Sequence, residues 1–306
     1  MATVLGSTPD AVGSADPAGY CRNLVQKHDY ESFLTAQFYP REVQGGYFAL
    51  KAFYVDLAMI QDTVSNPMLG KMRMQFWRDT VKQIYDGSPP RHPIALALFE
   101  AAQQGNIPAY HLKRIIDARD NEIQAPAHLT VETLTAHAES TSSSLLYALL
   151  SYLSVPSSAL SHAASHIGVA QTFTTLLRAL PFHAAKGRMV IPAEITAKHL
   201  VNQQEVFKIA LHGKRKDQGP AKGLEDAVFE FATVANDHII TARDMLKETE
   251  GKVPAEAMPI FLSGVPVVHF LSKLETANFD PFHPSLQSRD WRLPWRIWRG
   301  YYQKIF

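Results

Sequence analysis

There is a single cysteine, Cys21, in 306 residues. One thiol excludes an internal disulfide framework and a cysteine-rich zinc site, and it fits a reducing compartment. Charge of one sign is also lacking: 30 Lys and Arg against 29 Asp and Glu leave +1. Such a balance gives no global drive toward nucleic acid. No apolar run approaches the ~18–20 residues that span a bilayer as a helix. No repeat period occurs, and no interior linker is long enough to divide domains. The first nineteen residues contain no Lys or Arg and two acids, Asp10 and Asp16. They lack the amphipathic, Arg-rich pattern of a transit peptide and read as a disordered leader.

What is present is a core-forming composition, 46% hydrophobic and 19% charged, in helical spacing nearly throughout. The spacing predicts helices over Tyr20–Phe38, Glu42–Val64, Met68–Tyr85, His92–Gln104, Ala109–Gln124 and Val131–Leu153. It continues over Ser157–Leu180, Gln203–Leu211, Leu224–Glu250 and Pro254–Leu274, the last kinked at Pro259 and Pro266. Thr130 reads as the cap of the Val131 helix. Asp86–Pro90 reads as a turn, Gly187–Pro192 as a short extended piece, and His212–Gly223 as a polar, basic loop. The simplest architecture is one all-α domain over 20–288 with a basic aromatic tail over 289–306.

Tyr20-Cys21-Arg22-Asn23 through Tyr30, Phe48–Phe53, Ile167-Gly168, Arg178 and Gly187–Pro192 together resemble the squalene/phytoene synthase family over roughly residues 20–275. The resemblance implies a single-domain isoprenoid (terpenoid) synthase-like helical bundle. Such enzymes condense two prenyl diphosphates in a central cavity. Pyrophosphate leaving an allylic carbon needs magnesium, and magnesium needs carboxylate oxygens. Carboxylates four residues apart share one helix face. In this sequence the first acid motif falls on Ala58–Asp62 and keeps only Asp62, and the second falls on Ala179–His183 and keeps none. Asp56 lies half a turn away from the motif face. Pro181 is expected to disturb the second helix.

Three further runs, Leu69–Arg78, Ser142–Tyr147 and Ala163–Gly168, are similar to one branch of the family, a mitochondrial complex I assembly factor with a squalene/phytoene synthase-like domain. That resemblance implies a non-catalytic protein at the matrix side of the inner membrane. Its expected partners are complex I subunits or assembly intermediates, with peripheral membrane contact, no nucleic acid and no cofactor. The alternatives are an active prenyl diphosphate condensing enzyme with degenerate metal motifs, or an isoprenoid or lipid carrier holding an apolar ligand.

Several side chains carry two readings. Arg73, Arg178 and Arg188, with Arg78, line an anionic cavity or pair with Asp62, Asp79 or Glu194. His162, His166 and Glu139 form a metal set or pack between helices, the plainer reading. Met59, Met68, Met72, Met74 and Phe76 form an adaptable groove or, more simply, core. His183 reads as structural or solvent-facing. Trp291, Trp295, Trp298 and Tyr302 recur at helical spacing beside Arg292, Arg296, Arg299 and Lys304. They make either an interfacial helix on an anionic membrane or a terminal helix docking its aromatic face on the body.

Overall fold

Asp16 opens the helical chain: its carboxylate accepts the Gly19 amide at 2.9 Å, and Pro17 supplies a first-turn residue with no amide to satisfy. Helix α1 (Pro17–His28) therefore begins inside the stretch read as leader. The computed structural model describes residues 16–64, 66–155, 157–213, 221–247 and 253–306. The leader through 15 and most of the basic loop, 214–220, lie outside the described residues. Every α or π element among the described residues is helical, and none is a strand. Two compact units emerge. One comprises the described residues up to 124 with 147–155, and the other 125–146 with 157–306. The chain leaves the first unit and returns to it, so no single linker marks the division.

In the first unit, Asp29 breaks the expected Tyr20–Phe38 helix. It ends α1 and caps α2 (Tyr30–Thr35), accepting the Ser32 amide at 3.1 Å. Its other oxygen lies 3.8 Å from Nζ of Lys51, which is buried on α3 (Arg41–Thr63). Burial opposes the charge on Lys51, but Tyr47 and Asp29 outweigh burial and hold its pKa above the usual lysine value. Leu50, Phe53, Leu57 and Ile60 make the buried face of α3. On α4 (Pro67–Tyr85), Trp77 sets its ring edge-on to Phe53, centroids 5.1 Å apart. Met74 is core, as expected, but Met68, Met72 and Phe76 are exposed. Those three fall four apart and share an outward stripe, while Met74 lies half a turn from Met72 and Phe76. Helices α5 (Pro93–Gln104) and α6 (Ala109–Gln124) complete this unit with the 147–152 part of α8 (Ser144–Tyr152).

In the second unit, Thr130 caps α7 (Val131–Ala138) as expected, its hydroxyl accepting the Thr133 amide at 3.1 Å. The expected long helix from Val131 is interrupted by a π-helical turn, Glu139–Ser143, ahead of α8. Gly168 explains it: a Cβ there would sit 2.6 Å from the Ser143 amide nitrogen, so two backbones meet where only a glycine fits. Gly168 belongs to α9 (Ser158–Ala185), which runs past Pro181 and ends before Gly187, whose φ is +71°. Pro181 falls in the last turns, where one lost backbone bond does not stop the helix.

Helix α9 packs along α12 (Leu224–Lys247), with Phe173 stacked on Phe231 at 4.8 Å. Leu177, Leu180, Val206, Ile209, Leu224 and Leu274 share that core. Between them lie α10 (Ala193–Lys198), which the sequence spacing does not announce, and α11 (Gln203–His212). The Pro254–Leu274 stretch is two helices, α13 (Met258–Phe261) and α14 (Gly264–Thr276). Pro259 and Pro266 each sit in a first turn, so they start helices instead of kinking one. The short α15 (Pro284–Gln287) and α16 (Leu293–Gln303) follow.

Candidate functional site

On α3 the motif positions Ala58 and Asp62 lie one turn apart, Ala58 half-buried and Asp62 exposed. Asp56 accepts from the Trp77 indole at 2.8 Å, so this neighbouring carboxylate is committed to the packing of α4. Arg73 is exposed and donates to the Thr63 hydroxyl at 3.0 Å. Arg78 pairs with Asp117 and Asp120 of α6, at 3.0 and 2.7 Å. Asp79, the partner suggested by proximity in sequence, instead accepts from Gln75 at 2.9 Å.

On α9 the motif face carries Thr172, Thr175, Ala179 and His183. Thr172 and Ser142 bring their hydroxyl oxygens to 2.7 Å, tying the π turn to this face. Ala179 is half-buried beside Arg178, also half-buried. The His183 ring nitrogen Nδ1 lies 2.8 Å from Nη2 of Arg188, which requires the neutral imidazole to accept from the guanidinium. The former acid position and a retained arginine therefore meet directly. Glu194, offered as a partner for these arginines, accepts the Val131 amide and helps to start α7.

The proposed trio of His162, His166 and Glu139 takes a different form. His162 is exposed, and His166 Nδ1 lies 2.7 Å from Nδ1 of His238 on α12. Burial, then the neighbouring His166, pulls the His238 pKa down to about 4. Burial likewise lowers His166, partly offset by Glu139. The two rings share one proton between nitrogens that would otherwise bind a metal. Sequence reasoning missed His238. Its signal was a polar residue close to the apolar stripe of Val228, Phe231, Ala235 and Ala242.

The tail helix α16 docks, but not by its aromatic face. Leu293, Ile297 and Gly300 are buried, and a Cβ on Gly300 would lie 3.1 Å from Val265 of α14. Trp295, Trp298 and Tyr302 remain 58%, 50% and 66% exposed. Arg299 lies over the Trp295 ring at 5.8 Å, and Trp298 leans on Tyr302 at 4.9 Å. Beyond α16 the chain turns back through Lys304, in the left-handed region at φ 56°. Phe306 then covers Gly264 and Phe261, and its main-chain oxygen accepts from Arg243 Nε at 2.8 Å. Both sequence readings of the tail were half right: the helix is docked, and its rings face outward.

A profile of the squalene/phytoene synthase family matches residues 25–299. This chain belongs to that family. The matched range includes α9 and most of α16, so the tail helix is part of the family domain. Among solved structures, a dehydrosqualene synthase in complex with ligand superimposes with a TM-score of 0.76, covering 96% of this chain and 99% of that one at 14% identity. At such identity the likeness carries the fold, an isoprenoid synthase-like helical fold. Relatives named NADH dehydrogenase (ubiquinone) complex I, assembly factor 6 are much nearer in sequence. The Rattus norvegicus protein is 38% identical over 294 residues, covering 96% of this chain and 84% of that one. The Homo sapiens protein is 37% identical over 287 residues, covering 94% and 82%. Among the described residues of this family member, no helix is long and apolar enough to cross a membrane.

Proposed function

We propose that this chain is a non-catalytic member of the squalene/phytoene synthase family that assists the assembly of respiratory complex I. One observation carries the reading: relatives matching nearly the whole chain are named as assembly factors of that complex. The chemistry of the motif positions supports it. Magnesium clusters that receive pyrophosphate need several carboxylate oxygens. Here α3 offers Asp62 alone, α9 offers none, and His183 is engaged by Arg188. These residues do not fit the metal that the fold family uses, so no reaction step is routed through it.

A protein of this kind acts by presenting surfaces. Its partner is a membrane-arm subunit or an intermediate of complex I, met at the matrix side of the mitochondrial inner membrane. Contact with the membrane is peripheral, through Trp295, Arg296, Trp298, Arg299 and Tyr302, where exposed rings lie beside guanidinium groups. Arg73, Arg178 and Arg188 keep anion-binding capacity without supplying catalysis.

Affinity capture of the tagged chain from mitochondria, followed by proteomics, should enrich complex I assembly intermediates. Recovery of prenyl-synthesising enzymes in their place would reverse the assignment. Incubation with magnesium and farnesyl or geranylgeranyl diphosphate should give no condensation product. Turnover abolished by Asp62→Ala would establish an active enzyme.

A further inference from the structure

Beside the docked face of α16 lies a groove of about 730 Å³, formed with α12, α14 and the final residues. That volume falls within the ~300–1,000 Å³ typical of small-molecule sites. Its floor is apolar, made by Val265, Val268, Ile305 and Phe306, with the Trp291 and Trp295 rings at its side. Four arginines line it, and none of its lining residues is an acid. Arg243 is engaged by Phe306, and Arg299 spends its Nε on Gln303 Oε1 at 2.9 Å. Arg296 has no side-chain hydrogen bond or ion pair among the described residues.

His269 is the more informative lining residue. Its side chain is 91% buried by exposure of 9%. Nε2 comes within 2.7 Å of Asp290 Oδ2 but off the direction of a hydrogen bond, and Nδ1 has no partner at all among the described residues. Buried polar atoms are normally satisfied, so an unpartnered nitrogen in a groove wall marks a place for a polar ligand group. Burial, then the positive field of Arg296, keeps the His269 pKa below its usual value. The positive potential that opposes a proton on His269 favours an anion.

We infer that this groove is a discrete site for one acidic phospholipid of the membrane, its phosphate held by Arg296 and Arg299 within reach of His269 and its acyl chain laid on Val265, Val268 and Phe306. The two halves of such a ligand match the two halves of the groove. A guanidinium suits a phosphate through paired N–H donors. The hydrocarbon floor excludes a purely hydrophilic anion as the matching ligand. Exposed Trp295, Trp298 and Tyr302 put the groove mouth beside rings of the kind that settle at headgroup depth. The inference rests on the peripheral membrane contact proposed above and deepens it from a surface to a pocket.

The test uses lipid as monomers, so that no membrane is present. Dihexanoyl phosphatidylglycerol below its micelle concentration is titrated into the full chain by calorimetry, with dihexanoyl phosphatidylcholine and inorganic phosphate alongside. We expect saturable one-to-one binding of the acidic lipid, with the other two weaker by about tenfold or more. Arg296→Gln, at an exposed position, should weaken the acidic lipid by about tenfold and leave thermal melting unchanged. Val268→Trp fills the groove and should abolish binding, and should that variant fail to fold, Arg296→Gln decides alone. No saturable binding, or equal binding of the two headgroups, overturns the pocket. Flotation on phosphatidylglycerol vesicles separates the two ideas. If the protein still floats, the membrane contact stands without the pocket, and if it does not, both are lost.

Discussion

Asp29 holds two structures at once, the start of α2 and the charge of Lys51, with one carboxylate. Removing it strands a buried ammonium and opens a helix cap. Asp29→Ala should therefore cost about 2–4 kcal/mol in urea unfolding. Adding Lys51→Met removes the stranded charge and should recover part of that loss, which a double-mutant cycle measures. A second residue-scale effect concerns the His166–His238 pair. Both rings fold neutral, and the His238 pKa falls from 6.5 to about 4. In the unfolded chain these histidines take protons near their ordinary pKa, so the unfolded state binds more protons at mildly acidic pH. The stability contributed by neutral His238 is complete above pH 6.5 and is lost progressively toward pH 4. Melting temperature followed over that range should fall more steeply for the natural chain than for His238→Gln. Equal slopes would mean that the ring pair is not what keeps the proton off.

At the scale of elements, local spacing carried most of the boundaries. The α3, α4, α5, α6 and α11 helices were legible from apolar period and proline punctuation, because each packs by a single face against neighbours. The failures share a cause: they depend on partners distant in the chain. The π turn at Glu139–Ser143 exists because α9 approaches at Gly168, which no local pattern contains. The exposed Met68–Met72–Phe76 stripe has the same period as a core stripe, and period alone cannot tell which way a face points. His166 found its partner 72 residues away, so the metal trio read from spacing was assembled from the wrong third member. The motif positions themselves were legible, since missing carboxylates are a matter of composition at known places. The close approach makes a direct prediction. Gly168→Ala would force a methyl to within 3 Å of Ser143 backbone atoms. The two helices must then separate, at a cost of about 1–3 kcal/mol. Chemical denaturation should show that loss, whereas Gly45→Ala, with open space around its Cβ, should be neutral or stabilising.

Over the whole molecule the near-zero net charge hides a division. Residues 289–306 contain five Lys and Arg and one Asp, +4, so the other 288 residues carry −3 against a total of +1. The positive end coincides with the half-exposed rings of α16, while Leu293 and Ile297 hold the same helix to the body. One helix thus has a stability face and a surface face, and the two should separate under mutation. Ile297→Ala removes buried methylenes and should lower unfolding free energy by about 2–4 kcal/mol. Trp298→Ala with Tyr302→Ala removes rings that are already half in water and should shift melting little. On vesicles containing phosphatidylglycerol the order inverts. The ring pair should reduce flotation by about tenfold, because rings that insert at the headgroup level give up that apolar contact. Raising salt toward 1 M, where the screening length falls to about 3 Å, should release the protein further by weakening the arginine contribution. Ile297→Ala should float almost as well as the natural chain wherever it remains folded. If the ring variants float unchanged while Ile297→Ala does not, the helix serves only to close the body of the protein, and the exposed aromatics have no part in meeting a membrane.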